Sequence, residues 1–166
     1  MKNKVLIALV ILFLVCGCSS KEKVEISGEK INTNKMGHKH CVRNATAGSG
    51  VTADLEYEVY YTGDTLNLLQ ATEKVLSTSN ETLDKYENAY RSIHEHYKGL
   101  DNYEAEVVRT ETTVTSTVNI NYDKIDIDEL IAIEGAEDNI FDDKVPKLSK
   151  WLELAKKVGA TCEEVE

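Results

Sequence analysis

Apolar side chains fall along this chain in three successive patterns: an unbroken run, a strict alternation and a helical spacing. The run covers residues 5–15, follows Lys2 and Lys4, and is closed by Cys16, Gly17 and Cys18. The alternation is clearest at 51–62, where Val51, Ala53, Leu55, Tyr57, Val59 and Tyr61 interleave with Thr52, Asp54, Glu56, Glu58, Tyr60 and Thr62. Successive side chains of a strand point to opposite faces, so this segment is a long half-buried strand. Gly48, Ser49 and Gly50 form a turn before it, with 41–47 as the preceding strand, and Thr62, Gly63 and Asp64 turn into a third strand over 65–77. In that third strand the apolar parity changes between Leu66 and Leu68 on one side and Leu69, Ala71 and Val75 on the other. Such a change predicts a β-bulge.

The period then becomes helical. Leu83, Tyr86, Tyr90, Ile93 and Tyr97 lie on one helix face, with Thr78 and Glu81 as a capping box and Gly99 as the stop. Residues 102–110 and 112–123 read as two further strands, the second carrying Val114, Ser116, Val118, Ile120 and Tyr122 on one face. A short helix follows over 127–134, opened by Asp126 with Glu129 three residues on. A last helix starts near Pro146 at its first position and turns Leu148, Trp151, Leu152, Ala155 and Val158 inward. Short turns between consecutive strands require antiparallel pairing. The expected fold is therefore α+β: one twisted antiparallel sheet of about five strands, with an amphipathic helix and two C-terminal helices packed on one face.

The leading apolar run changes the picture of where this domain works. A positive start, eleven apolar residues and small residues before a cleavage point are the parts of a secretory signal peptide. As a helix the stretch would reach roughly 20 Å, short of a hydrocarbon core about 30 Å thick. Val15, Cys16, Gly17 and Cys18, followed by Ser19 and Ser20, resemble a bacterial lipobox, which is cut before a Cys that is then acylated. Cys18 is thus expected as the lipidated N-terminus, holding the protein to the extracytoplasmic face of a cell membrane. The domain organisation that follows is a signal peptide over 1–17, a flexible tether over 18–40, poor in hydrophobic periodicity, and a single domain over 41–166.

Removal of the leader leaves 149 residues with 17 basic and 29 acidic side chains, a formal charge of −12. Residues 19–40 carry +2, and 41–166 carry −14. That acidity argues against a nucleic-acid partner, because phosphate binding requires the opposite sign. The expected partners are the membrane, through the lipid, and an envelope protein or glycan.

Two cysteines remain in the domain, Cys41 and Cys162, one at each end. In an oxidising compartment they are most simply a disulfide. His38 and His40, with Met36 and Cys41 beside them, are the residues a Zn²⁺ or copper ion would use, since i and i+2 positions of an extended chain share a face. They fall within the tether, and an oxidised Cys41 cannot ligate, so no metal and no cofactor are expected. His94 and His96 stand about 200° apart on a helix and cannot share an ion. The acidic stretch from Asp123 through Asp126, Asp128, Glu129, Glu134, Glu137, Asp138, Asp142 and Asp143 lacks the loop spacing of a calcium site and reads as helix starts and solvated surface. Thr113, Thr115, Thr117, Asn119 and Asn121 form a hydroxyl and amide surface, expected beside Tyr60 and the acids of the second strand, 51–62. Such a surface can dock a protein or glycan, and is equally the wet side of an antiparallel sheet. Ser49 sits in a hairpin with no strand-to-helix elbow, which excludes it as a nucleophile of that type.

The lipobox, the strand pair around Gly63, the helix ending Tyr97, Lys98, Gly99, and the Ser- and Thr-rich strand running into Asn121, Tyr122 and Asp123 together resemble the YehR-like family of small bacterial lipoproteins. The similarity covers most of residues 41–135. It implies an α+β fold and carries no established activity onto particular residues. No phosphate loop, zinc motif or nucleophile signature accompanies it, so the function expected is that of a non-catalytic, lipid-anchored binding or accessory domain. The alternatives are an envelope hydrolase whose carboxylates converge only in the fold, and a metal-handling lipoprotein using His38 and His40.

Overall fold

The computed structural model describes residues 23–47, 50–135 and 139–166. Its elements, in chain order, are β1 (Val24–Ile26), β2 (Glu29–Ile31), β3 (Gly37–Ala47), β4 (Val51–Thr62), β5 (Thr65–Leu76), α1 (Asn80–Glu95), β6 (Tyr103–Arg109), β7 (Thr113–Asn121), α2 (Ile127–Glu134), β8 (Phe141–Asp142), β9 (Val145–Pro146), α3 (Leu148–Lys157) and β10 (Thr161–Glu164). Six strands form one sheet in the order β10-β3-β4-β5-β7-β6, with every neighbouring pair antiparallel. The fold is α+β as expected, and the sheet has one strand more than expected. The additional strand is β10, four largely exposed residues that become a strand by pairing with β3, opposite Cys41.

Alternation along the strands divides the sheet into two faces. One face joins the helices: Cys41, Val59, Leu66, Leu69 and Ile120 pack with Leu130 of α2 and with Leu148, Trp151 and Ala155 of α3. Under α1, Leu83 and Tyr90 close over Val51, Ala53, Val75 and Val114. Fully burying a side chain such as Leu83 or Leu130 stabilises the fold by about 1.5–3 kcal/mol. The bulge lies where the parity change placed it. Tyr60 pairs with Leu68 and Tyr61 with Leu66, so Asn67 is the extra residue and both Leu66 and Leu69 reach the helix side. The Asn67 side-chain amide donates to Asp123 (2.7 Å), fastening the bulge to the end of β7.

Three local expectations are corrected. Residues 24–40 form no tether: β1 and β2 make a hairpin, and β3 begins at Gly37, before Cys41. The two-residue turn of that hairpin is Ser27-Gly28, both with positive φ (53° and 74°), the backbone that a primed turn requires. Val24 and Ile26 are buried against Tyr60 and Leu68 on the sheet face opposite the helices, with Ile31 and Met36 alongside. The few apolar residues of a polar segment thus suffice, because they alternate and meet two large side chains. Residues 1–22, including Cys18, lie outside the described residues, as does Ser49.

The other two corrections concern helix starts. Ser79, not Thr78, caps α1, its side chain accepting from the Thr82 N–H. Pro146 belongs to β9 and α3 starts at Leu148, where Lys147 makes no side-chain cap. The missing cap comes from the β4–β5 turn: the Asp64 carboxylate accepts from the Ser149 N–H (2.9 Å) and hydroxyl (3.1 Å), and the Asp64 carbonyl accepts from the Leu148 N–H. Along α3, Leu148, Trp151 and Ala155 are buried, whereas Val158 is exposed.

Two outcomes follow from these linkages. Replacing Cys41 and Cys162 together by Ala releases a constraint across 121 residues of chain. Urea denaturation should then show a loss of roughly 2–5 kcal/mol. The second concerns pH. Ser149 holds the Asp64 carboxyl below its ordinary range, so its contribution is present above the unfolded-state pKa and is lost as pH falls through the folded-state pKa. Asp64→Ala should therefore lower the melting temperature at neutral pH, with the difference from wild type shrinking as pH drops below about 4.

Candidate functional site

The sheet face away from the helices carries a coupled group of imidazoles and carboxylates. Because Cys41 points to the helix side, His38 and His40 of β3 point to the other. The β3–β4 register sets His40 opposite Glu58, His38 opposite Tyr60 and Val42 opposite Glu56. Glu58 therefore lies between the two histidines. Its Oε2 is 2.5 Å from His38 Nε2 and its Oε1 is 2.7 Å from His40 Nδ1. Glu56 Oε1 approaches the same His40 nitrogen at 3.8 Å.

The hairpin β1–β2 orders this group indirectly. It buries Tyr60, and the His38 ring stacks on Tyr60 with centroids 4.3 Å apart and planes 9° from parallel. The hairpin turn reaches across the sheet, where the Ser27 N–H donates to Glu104 Oε1 (2.6 Å) on β6. On the helix side of the same strands a second latch holds β10 to β3 and β4. There Glu164 Oε1 accepts from Lys39 Nζ (2.5 Å) and from the Tyr61 hydroxyl (2.6 Å), and these bonds keep its carboxyl below the usual range. The Tyr61 ring covers Gly37 so closely that a Cβ there would lie 2.3 Å from it, which is why β3 starts with glycine.

From the histidine pair a shallow polar cleft runs across the sheet. One lobe, about 390 Å³, is lined by Glu56, Glu58, Gln70, Thr72, Thr117 and Asn119. The next, about 190 Å³, shares Thr117 and Asn119 and is completed by Glu104, Ala105 and Glu106. Its middle is amide and hydroxyl, with the Gln70 amide donating to Asn119 (3.2 Å), and its ends are carboxylate. The cleft can thus accept hydrogen bonds and attract cations along its length.

The structure brings some expected residues together and disperses others. Thr117 and Asn119 of the expected hydroxyl and amide surface do line the cleft, beside the acids of β4. Asn121 is instead buried, its side-chain oxygen accepting from the Asp123 N–H. His94 and His96 diverge as their spacing requires. His94 bonds Ser116 (2.8 Å), and burial holds its pKa below the ordinary value, while His96 donates to the Ser92 carbonyl. The acidic stretch does not converge among the described residues: Asp126 caps α2, Asp128 pairs with Lys144 and Asp123 holds Asn67. Glu137 and Asp138 lie outside the described residues. Sequence reasoning did not connect His38 and His40 to Glu56 and Glu58. The available signal was parity, since each pair occupies alternate positions of one of two strands joined by a short turn.

No protein-family model matches the chain, and neither does any curated protein. Among solved structures, it is similar to the NMR structure of the E. coli YehR protein, with TM-score 0.54 and 18% identity over 80% of this chain and 93% of that one. It is also similar to the NMR structure of a protein from Streptococcus pneumoniae TIGR4, with TM-score 0.50 and 15% identity over 98% of this chain and 96% of that one. The expected likeness to YehR is met at the level of the fold.

Proposed function

We propose that this chain is a bacterial lipoprotein, anchored through Cys18 to the extracytoplasmic face of the cell membrane, whose domain is a non-catalytic binding or accessory module. The observation that carries the binding role is the polar face of the sheet, which no helix among the described residues covers. Helices occupy one side, and the other holds a cleft of amides, hydroxyls and carboxylates, with the β1–β2 hairpin packed beside it on Tyr60 and Leu68. Its ligand is a polar or cationic group presented in the envelope, on a protein or a glycan, and the chain's formal charge of −10 disfavours nucleic acid.

The leader and the Cys41–Cys162 bond support the address, because disulfides persist in oxidising compartments outside the cytoplasm. With the hairpin packed from Val24 onward, only residues 18–23 separate the lipidated cysteine from the folded body. Six residues reach at most about 20 Å, so the domain rides close to the bilayer. Among the described residues no helix is long and apolar enough to cross a membrane, which leaves anchoring to the leader region.

Intact mass spectrometry of protein extracted from membranes of the producing cell tests this reading. The expected species begins at Cys18 and carries acyl chains, and Cys18→Ala should leave the membrane fraction. An uncut leader, or a residue 18 without lipid, would overturn the address.

A further inference from the structure

We propose that His40, Glu56 and Glu58 form a binding site for a divalent transition-metal ion of the zinc class, with His38 as a positioning residue. The inference goes beyond the protein or glycan ligand proposed for this face, and it stands or falls separately from the lipid anchor. His40, Glu56 and Glu58 each offer a ligand atom, and the three atoms lie within 4.8 Å of one another. Ligands of a tetrahedral ion bound at about 2.0–2.2 Å lie roughly 3.3–3.6 Å apart, so side-chain rotation has to draw the set together by about 1 Å.

The donor chemistry selects the ion. An imidazole nitrogen with two carboxylates suits Zn²⁺ and its first-row neighbours, whereas Ca²⁺ takes six to eight oxygens and Mg²⁺ retains most of its water. A neutral imidazole and two carboxylates also cancel the charge of a divalent ion, in a domain whose excess charge is negative. Glu56 and Glu58 are two positions apart on one strand, hence like charges on one face, and an ion between them removes that repulsion.

His38 supplies the outer shell. Its ring is fixed by stacking on buried Tyr60, and its Nε2 lies 2.5 Å from Glu58 Oε2, which leaves Oε1 directed at His40. Outer partners of this kind orient a ligand and typically account for 10–100-fold in affinity. Glu163 of β10 pairs directly across from His40, which puts a further carboxylate position on the same face at the open side. The side chains of His40, Glu56 and Glu58 are 36%, 57% and 31% exposed. Three protein ligands facing solvent leave coordination positions to water, so the ion exchanges directly with the envelope solution, unlike the closed four-ligand sites that serve folding.

The test uses the full chain, purified in detergent without a polyhistidine tag, stripped with a chelator and titrated with Zn²⁺ by calorimetry, with Co²⁺ as a spectroscopic probe. The expected result is one ion per chain with a Kd of about 10 µM or tighter, not displaced by millimolar Ca²⁺. His40→Asn and Glu58→Gln, which keep the side-chain size, should weaken binding at least about 100-fold, and His38→Gln about 10-fold, with the Co²⁺ spectrum retained in the last. Circular dichroism should show all three folded, and His96→Asn, on the far side of α1's end, should bind as wild type. Absence of stoichiometric binding by the folded wild-type chain, or equal binding by the His40 and Glu58 variants, would overturn the site. Neither result would touch the mass-spectrometric test of the anchor.

Discussion

Pairing of Cys41 with Cys162 across neighbouring strands fixes which way every side chain of β3 points. Cys41 is fully buried on the helix side, and its partner lies opposite it on β10. Because a strand repeats every two residues, Lys39 and Arg43 must share that side, while His38, His40 and Val42 must take the other. A slip of one residue would bury the imidazoles against Trp151 and Phe141 and expel the cysteine into water. The covalent bond excludes that slip. The histidine and carboxylate group on the outer face thus depends on a bond formed on the inner one.

The two faces are covered by different means. Three helices close the inner face with an extended apolar core. Among the described residues the outer face is covered by β1 and β2, three residues each, whose hairpin packs on Tyr60 and Leu68 at one end of the strands and reaches Glu104 of β6 through the Ser27 N–H. The bulge at Asn67 makes this possible. By inserting one residue it lets Leu66 and Leu69 serve the inner core while Leu68 turns outward to meet Ile26. One added residue therefore supplies both faces at the same end of the sheet, and leaves the polar rows of Glu58, Gln70 and Asn119 beyond the hairpin open to water.

What the sequence made legible was what its local chemistry determines. Asp126 caps α2 through a residue three positions on, and the bounds 127–134 are those expected. The alternation of β4 and the parity change of β5 were equally readable, because they are properties of the segment itself. What was not legible depends on distant partners. The cap of α3 is contributed by Asp64, 85 residues before Ser149. The hairpin at 24–31 is polar by composition and folds only because Tyr60 and Leu68 offer it an apolar floor. The same holds for β10, whose exposed residues carry little strand signal of their own.

The outer-face group lies between these limits. That His38 and His40 share a face was readable from their spacing, and so was the matching parity of Glu56 and Glu58. Which histidine meets which carboxylate requires the register between β3 and β4, in which His40 lies opposite Glu58 and His38 opposite Tyr60. Oxidation of Cys41, taken from sequence as removing a soft ligand, has the opposite structural consequence. By committing the thiol to the inner face it presents both imidazoles to Glu58 on the outer one. An oxygen-rich donor set with one imidazole replaces the sulfur-containing set that adjacency along the chain suggested. Such a set has harder donors than one containing thiolate, which favours an exchangeable ion over a permanently held one.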